Sequence, residues 1–144
     1  MPLTRLTMIA LLVLLLAPVP LDAQRPQPQP VGTMSDLMVT VIYPASDAIF
    51  YVETRAPGSD ADWTALQGKA LMVAEAGNLL MLPAHMRDED RWLADARLMR
   101  DAGAAAFRAA KAKNLQALID LNDQLDQSCV TCHLHYRPNY GRGR

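Results

Sequence analysis

Two cysteines and a histidine near the carboxyl end carry the strongest chemical signal in this sequence. They occur in CVTCHLHYR, residues 129–137, and Cys129 and Cys132 are the only cysteines among the 144 residues. A Cys-x-x-Cys pair followed directly by His133 can act as a redox pair, as half of a zinc site or as the attachment site of a haem. The choice depends on the compartment that the chain enters and on the elements that surround the motif.

The amino-terminal segment predicts export. MPLTRLTMIALLVLLLAPVPLDAQ has an early positive charge at Arg5, an unbroken apolar run from Met8 to Leu16 and a small residue at Ala23. The run is too short to span a bilayer comfortably, so we interpret residues 1–23 as a cleaved signal peptide. An uncleaved anchor is the alternative. We therefore expect a periplasmic protein with no membrane association after cleavage.

The rest of the chain predicts a short tether and one domain. Residues 24–32 contain the alternating prolines of QRPQPQP, which favour an extended conformation. Residues 33–144 are enough for one modest hydrophobic core and not for two. The net charge of the whole chain is −1, and no basic stretch resembles a nucleic-acid footprint, so we expect no nucleic-acid partner.

Apolar residues of the domain recur at three- and four-residue steps, which predicts an all-α fold with four helices. The expected starts are a cap at Thr33 or Ser35, a cap at Ser59 or Asp60 after Ala56-Pro57-Gly58, a start at Asp88 and a cap at Asn114. Pro44 should bend the first helix, because it lacks a backbone donor. The connections are short, so we predict an antiparallel up-down-up-down four-helix bundle.

This helical context narrows the use of the two cysteines. A thioredoxin-like pair needs a βαβ pattern, a zinc site needs four ligands, and two cysteines within one helical turn are poorly placed for a disulfide. A helix also turns His135 away from the other three candidate zinc ligands. Positions i, i+3 and i+4 share one helix face, so both thiols can reach the haem vinyl groups while His133 binds the iron. We therefore predict one covalently attached haem c.

The run from Cys129 to Arg137, near the end of a four-helix chain, resembles the cytochrome c′ family. That family carries a single haem on its last helix, with an aromatic residue and an arginine shortly after the motif. The resemblance implies that Cys129 and Cys132 form thioether bonds, that His133 is the proximal iron ligand and that Arg137 lies near the haem edge. The first stretch, MSDLMVTVIYPASDAIFYV, is more similar to c′-like exported cytochromes with a Leu-Met pair before a proline.

The predicted topology also places the haem pocket. We expect its walls to come from residues 34–42, from residues 78–82 and from Trp92. Because His133 precedes the end of the fourth helix by about a turn, a residue about one turn into the first helix should lie level with the iron. This depth favours Met38 over Met34 as the sixth ligand, as does the resemblance, and an ordinary core role for both methionines is the alternative.

Other residues suggest no catalysis. No carboxylate pair, Ser-His-Asp set or glycine-rich phosphate loop stands out, so we do not expect an enzyme. We expect His85 and His135 to face solvent. Two functions compete: a single-electron carrier that meets redox partner proteins, or a five-coordinate haem protein that binds a small gas such as nitric oxide. A haem-free helical scaffold is a third possibility, which requires that the cysteines carry nothing. The resemblance also allows a homodimer.

Overall fold

The computed structural model describes residues 28–140, which form four helices and, within this range, no strand. Helix α1 covers 34–50, α2 is Asp60–Leu80, α3 is Asp90–Lys111, and α4 consists of Leu115–Asp120 and Asn122–Tyr136. The predicted signal peptide, the start of the tether and the last four residues lie outside the described range. Among the described helices, none is long and apolar enough to cross a membrane.

The helix starts follow the capping signals of the sequence. Thr33 and Asp36 form a capping box at α1, in which each side chain accepts the other residue's backbone N–H. Ser59 caps α2, and Asn114 caps α4. At α3 the expected start is displaced by two residues. The carboxylate of Asp88 accepts from two backbone N–H groups of the first turn, so Asp88 caps the helix instead of beginning it.

A π-helical segment precedes Pro44, the residue at which a bend was expected. Residues Leu37–Ile42 form this wider turn, and the N–H of Tyr43 bonds to the carbonyl of Met38, five residues earlier. Pro44 directly follows and has no N–H to donate. Because a π-helical turn carries one extra residue, it changes which side chains of α1 face the protein interior after the turn.

Helices α2 and α3 approach each other closely at two glycines. A Cβ atom on Gly103 would lie 2.5 Å from the backbone nitrogen of Ala74, and one on Gly77 would lie 2.8 Å from backbone atoms of Arg100. Only glycine permits such backbone contact. Glycine is otherwise a poor helix former, so the structure gives Gly103 a packing role that offsets this cost.

The core lies between all four helices. α1 packs on α2, α2 on α3 and α3 on α4, while α1 also contacts α4 and closes the ring. The largest fully buried apolar side chains come from three helices and the residues that follow α1: Ile49, Val52, Val73, Leu118 and Leu125. This core leaves a cavity at the end of the molecule that holds the Cys-x-x-Cys-His motif.

Candidate functional site

A cavity of about 640 Å³ lies between the start of α1 and the last turns of α4. Its volume falls within the roughly 300–1,000 Å³ typical of cofactor and ligand pockets. Helix α1 contributes Met34, Met38, Val39, Ile42 and Tyr43, among others, and α4 contributes Cys132, His133 and Tyr136. Trp92 adds an aromatic wall, and Arg87 and Arg137 add positive charge. The cavity is therefore apolar over most of its lining, with arginines beside it.

A second cavity, of about 20 Å³, lies deeper beside the same motif. Its lining includes Cys129, which does not line the larger cavity. Met38, Cys132 and His133 line both cavities. The structure thus brings together the predicted site residues of α1 and α4.

The two cysteines are free thiols in the structure. Burial raises the pKa of Cys132 to about 11, with smaller contributions from the nearby Asp95 carboxylate and from Cys129. Burial also raises the pKa of Cys129. Both sulfurs therefore carry their protons at neutral pH, a state that disfavours the thiolate needed for zinc binding or thiol exchange.

His133 has a buried ring nitrogen that lacks a hydrogen-bond partner. Its Nδ1 atom finds none among the described residues, and the ring contacts that of Tyr140 at a centroid distance of 4.8 Å. Burial lowers the pKa of His133, and the positive charge of Arg137 lowers it further. The imidazole is therefore neutral at pH 7, which is the form that binds a metal. An unpartnered buried nitrogen costs about 1–3 kcal/mol, a cost that either a metal ion or a hydrogen-bond acceptor would offset.

Met34 and Met38 both lie half-buried at the start of α1 and pack against the core. They differ in depth. Met34 lines only the larger cavity, whereas Met38 also lines the smaller one, which it shares with Cys129, Cys132 and His133. The π-helical segment begins at Leu37 and includes Met38, and such turns occur frequently at functional sites.

The aromatic wall connects three helices. Trp92 donates its indole N–H to the carbonyl of Leu80 over 2.6 Å, and its ring lies edge-on to that of Tyr136 at 4.8 Å between centroids. The expectation that Trp92 lines the cavity is confirmed. The expectation for residues 78–82 is wrong for the larger cavity, since only Leu80 contributes, and only to the smaller one.

His135 is exposed, as expected, and one of its ring nitrogens also bonds to a buried carboxylate. Its Nδ1 lies 2.6 Å from Oδ2 of Asp95, whose side chain is only 5% exposed. Asp95 also lines the smaller cavity. The burial of Asp95 could have been predicted from the sequence, because helical spacing places it on the same face of α3 as the apolar residues Trp92, Ala96 and Met99. His85 is half-buried and lines neither of these cavities.

Within the range 28–140, no group of three or more His, Cys, Asp or Glu side chains is arranged to hold a metal ion. A haem site differs from such a cluster, because the macrocycle supplies four of the iron ligands. No family model, curated protein or solved structure matches the chain. The functional interpretation therefore depends on the residues themselves.

Proposed function

We propose that this chain is an exported c-type cytochrome with one covalently attached haem, which transfers single electrons in the periplasm. The observation that carries the proposal is the convergence of Met38 with Cys132 and His133 on one cavity, from helices far apart in the sequence. When bound, the haem supplies an iron that alternates between Fe(II) and Fe(III). The protein's part is to hold, orient and shield that group.

The residues present fit a haem. Cys129 and Cys132 lie one turn apart on α4, and each has a free thiol that could form a thioether bond to a vinyl group, Cys132 from both cavities and Cys129 from the smaller one beside them. His133 follows on the same face and offers a neutral imidazole with a buried, unpartnered nitrogen. The apolar lining suits the macrocycle. Arg137 lines the cavity with an exposed side chain, which suits a negatively charged propionate at its edge.

Met38 gives this pocket the character of an electron-transfer site. We propose that Met38 and His133 would both hold the iron of the bound haem, and a group held from two sides would need little rearrangement when it gains or loses an electron. A methionine ligand opposite a histidine raises the reduction potential relative to stronger donors. The apolar side chains that line the cavity with Met38 would keep water from the bound group and lower the local dielectric constant.

The proposed fold is an antiparallel up-down-up-down bundle. Two contacts support it: Gly77 lies against Arg100, and Gly103 lies against Ala74, so residue numbers rise along α2 as they fall along α3. The ring of contacts between successive helices and between α1 and α4 also supports it. This arrangement brings the start of α1 beside the end of α4, which is where the cavity lies.

The proposed location is the periplasm, on the basis of the apolar run in residues 1–23. Electron transfer requires redox partner proteins that approach the cavity end, and a homodimer is compatible with the family resemblance. We propose no nucleic-acid partner and no membrane association after signal cleavage. No catalysed reaction is proposed.

A second function is favoured by one observation. Met34 and Met38 both pack against the hydrophobic core, which is where methionine commonly fills irregular gaps. If both serve only this role, the iron keeps one open position among apolar side chains, as in a five-coordinate haem protein that binds nitric oxide. The two functions differ in spin state and in the access of carbon monoxide to the iron.

One experiment tests the proposal. The full chain is expressed with a haem-maturation system, and absorption spectra of its oxidised and reduced forms are compared with its intact mass. We expect one haem mass above the polypeptide, retained after denaturation, and a low-spin spectrum. The double variant Cys129→Ala with Cys132→Ala should retain no haem. Haem that acidic organic solvent extracts from the intact protein would contradict covalent attachment.

A further inference from the structure

A buried carboxylate lies behind the attachment motif. Asp95 is on α3, its side chain is 5% exposed, and its helix neighbours Trp92 and Met99 are buried and apolar. A buried charge is costly unless a partner offsets it. Its partner here is His135, which is 34% exposed and reaches the carboxylate from the last turn of α4. The carboxylate is thus the inner member of the pair, and the imidazole is the outer one.

Asp95 lies directly beside the attachment motif. It lines the smaller cavity together with Met38, Cys132 and His133. Its negative charge also contributes to the raised pKa of the Cys132 thiol. The negative charge of Asp95 therefore reaches the Cys132 sulfur, and Cys132 is the residue next to His133, the candidate iron ligand. Neither electron transfer nor haem attachment, as proposed above, requires a carboxylate at this point.

We infer that Asp95 lowers the reduction potential of the haem, because it holds a buried negative charge beside the helix that carries the attachment motif. This inference rests on the proposed function. Oxidised iron carries one more positive charge than reduced iron, so a nearby anion stabilises the oxidised state and lowers the potential. The Asp95 side chain is only 5% exposed and shares a cavity of about 20 Å³ with the motif, so solvent screens its charge weakly. His135 holds the carboxylate in place.

The test compares midpoint potentials of the haem-loaded protein and its variants. Asp95→Asn removes the charge and keeps nearly the same shape, and the midpoint potential should rise while the spectrum keeps its ligation pattern. Asp101→Asn is the matched control, because it removes the same charge from the same helix at an exposed position. The potential of this control should stay at the wild-type value.

His135→Gln separates charge from packing. Glutamine can still donate a hydrogen bond to Asp95 but cannot carry a positive charge, so the potential should not rise. A rise in both Asp95→Asn and His135→Gln would indicate disturbed packing and would overturn the inference, as would an unchanged or lower potential in Asp95→Asn. If Asp95→Asn does not fold, a rise in His135→Gln alone overturns it, and a constant or lower potential supports it.

The outcomes distinguish this inference from the proposed function. A protein without covalent haem would contradict both the proposed function and the role of Asp95. A protein with covalent haem whose potential does not respond to Asp95→Asn defeats only the role of Asp95. Unfolding by urea, measured on the same variants, shows whether the change in potential accompanies a loss of fold.

Discussion

The hydroxyl of Tyr136, in the last turn of α4, donates a hydrogen bond of 2.5 Å to the carboxylate of Asp88, which lies two residues before the start of α3. The other oxygen of the same carboxylate accepts the backbone N–H groups of Arg91 and Trp92. Asp88 therefore caps α3 and also holds the end of α4, the helix that carries the Cys-x-x-Cys-His motif. Two helices that wall the cavity are joined through this one side chain.

This contact predicts a specific dependence of stability on pH. The Tyr136 hydroxyl lowers the pKa of Asp88 below its ordinary value of 3.8, and the backbone N–H groups lower it further. Between the folded pKa and 3.8, the unfolded chain binds more protons, so the free energy of unfolding falls as the pH decreases. The contribution of Asp88 to the free energy of unfolding is complete well above pH 3.8. It is lost as the pH falls through the pKa that Asp88 has in the folded protein.

Urea unfolding of the wild type and Asp88→Asn at pH 6 and pH 3 measures this effect. The variant should lose less stability than the wild type between the two pH values. Asp90→Asn removes the same charge two residues later and serves as the control. Equal losses in the wild type and Asp88→Asn would show that the carboxylate is not stabilised by these hydrogen bonds.

A second prediction concerns the close contact of α2 and α3. Gly103→Ala adds a Cβ atom against the backbone of Ala74, which cannot move without shifting the helix. We expect a loss of about 1–3 kcal/mol in the free energy of unfolding, as for other overpacked cores. Gly68→Ala is the control, because nothing lies within 4 Å of its Cβ position on exposed α2 surface. There alanine should stabilise by about 0.5–1 kcal/mol. Similar effects of the two changes would rule out a packing role for Gly103.

The contrast between these glycines shows what the sequence could and could not predict. Helix starts at Thr33, Ser59 and Asn114 were predictable, because capping depends on residues within one turn. So was the grouping of Cys129, Cys132 and His133 on one stretch of α4. The role of Gly103 was not predictable, since it depends on where another helix lies.

The pairing of Asp95 with His135 was missed for a related reason. Helical periodicity places His135 away from the face of His133, but it does not say which neighbouring helix lies on that other side. Here α3 lies there and presents a buried carboxylate. The sequence predicted a bend at Pro44 but not the π-helical segment before it, because the missing N–H can be accommodated in several ways.

A third prediction concerns the proximal ligand. His133→Ala should remove the strong axial ligand and change the absorption spectrum, while the haem stays attached through the two cysteines. It should also lower the stability, because the haem is proposed to fill a cavity of about 640 Å³ in a small domain. His85→Ala is the control, since His85 lines neither cavity, and its spectrum should match the wild type. An unchanged spectrum in His133→Ala would mean that a different residue binds the iron.

The last prediction decides between the two proposed functions. Met38→Ala should convert a low-spin spectrum to a high-spin one, lower the reduction potential and open the iron to carbon monoxide, because the sixth ligand is lost. The stability cost should lie below the roughly 2–5 kcal/mol of a fully buried methionine, since Met38 is half-buried. Met34→Ala is the matched control, one turn earlier on the same helix and lining only the larger cavity.

The control should keep the low-spin spectrum, because Met34 lies outside the smaller cavity that Met38 shares with His133. If Met34→Ala instead becomes high-spin, the sixth ligand lies nearer the start of α1 than the cavity lining indicates. A wild-type protein that is already high-spin and binds carbon monoxide readily would exclude methionine ligation altogether. Both methionines would then be core residues, and gas binding would replace electron transfer as the function of the haem.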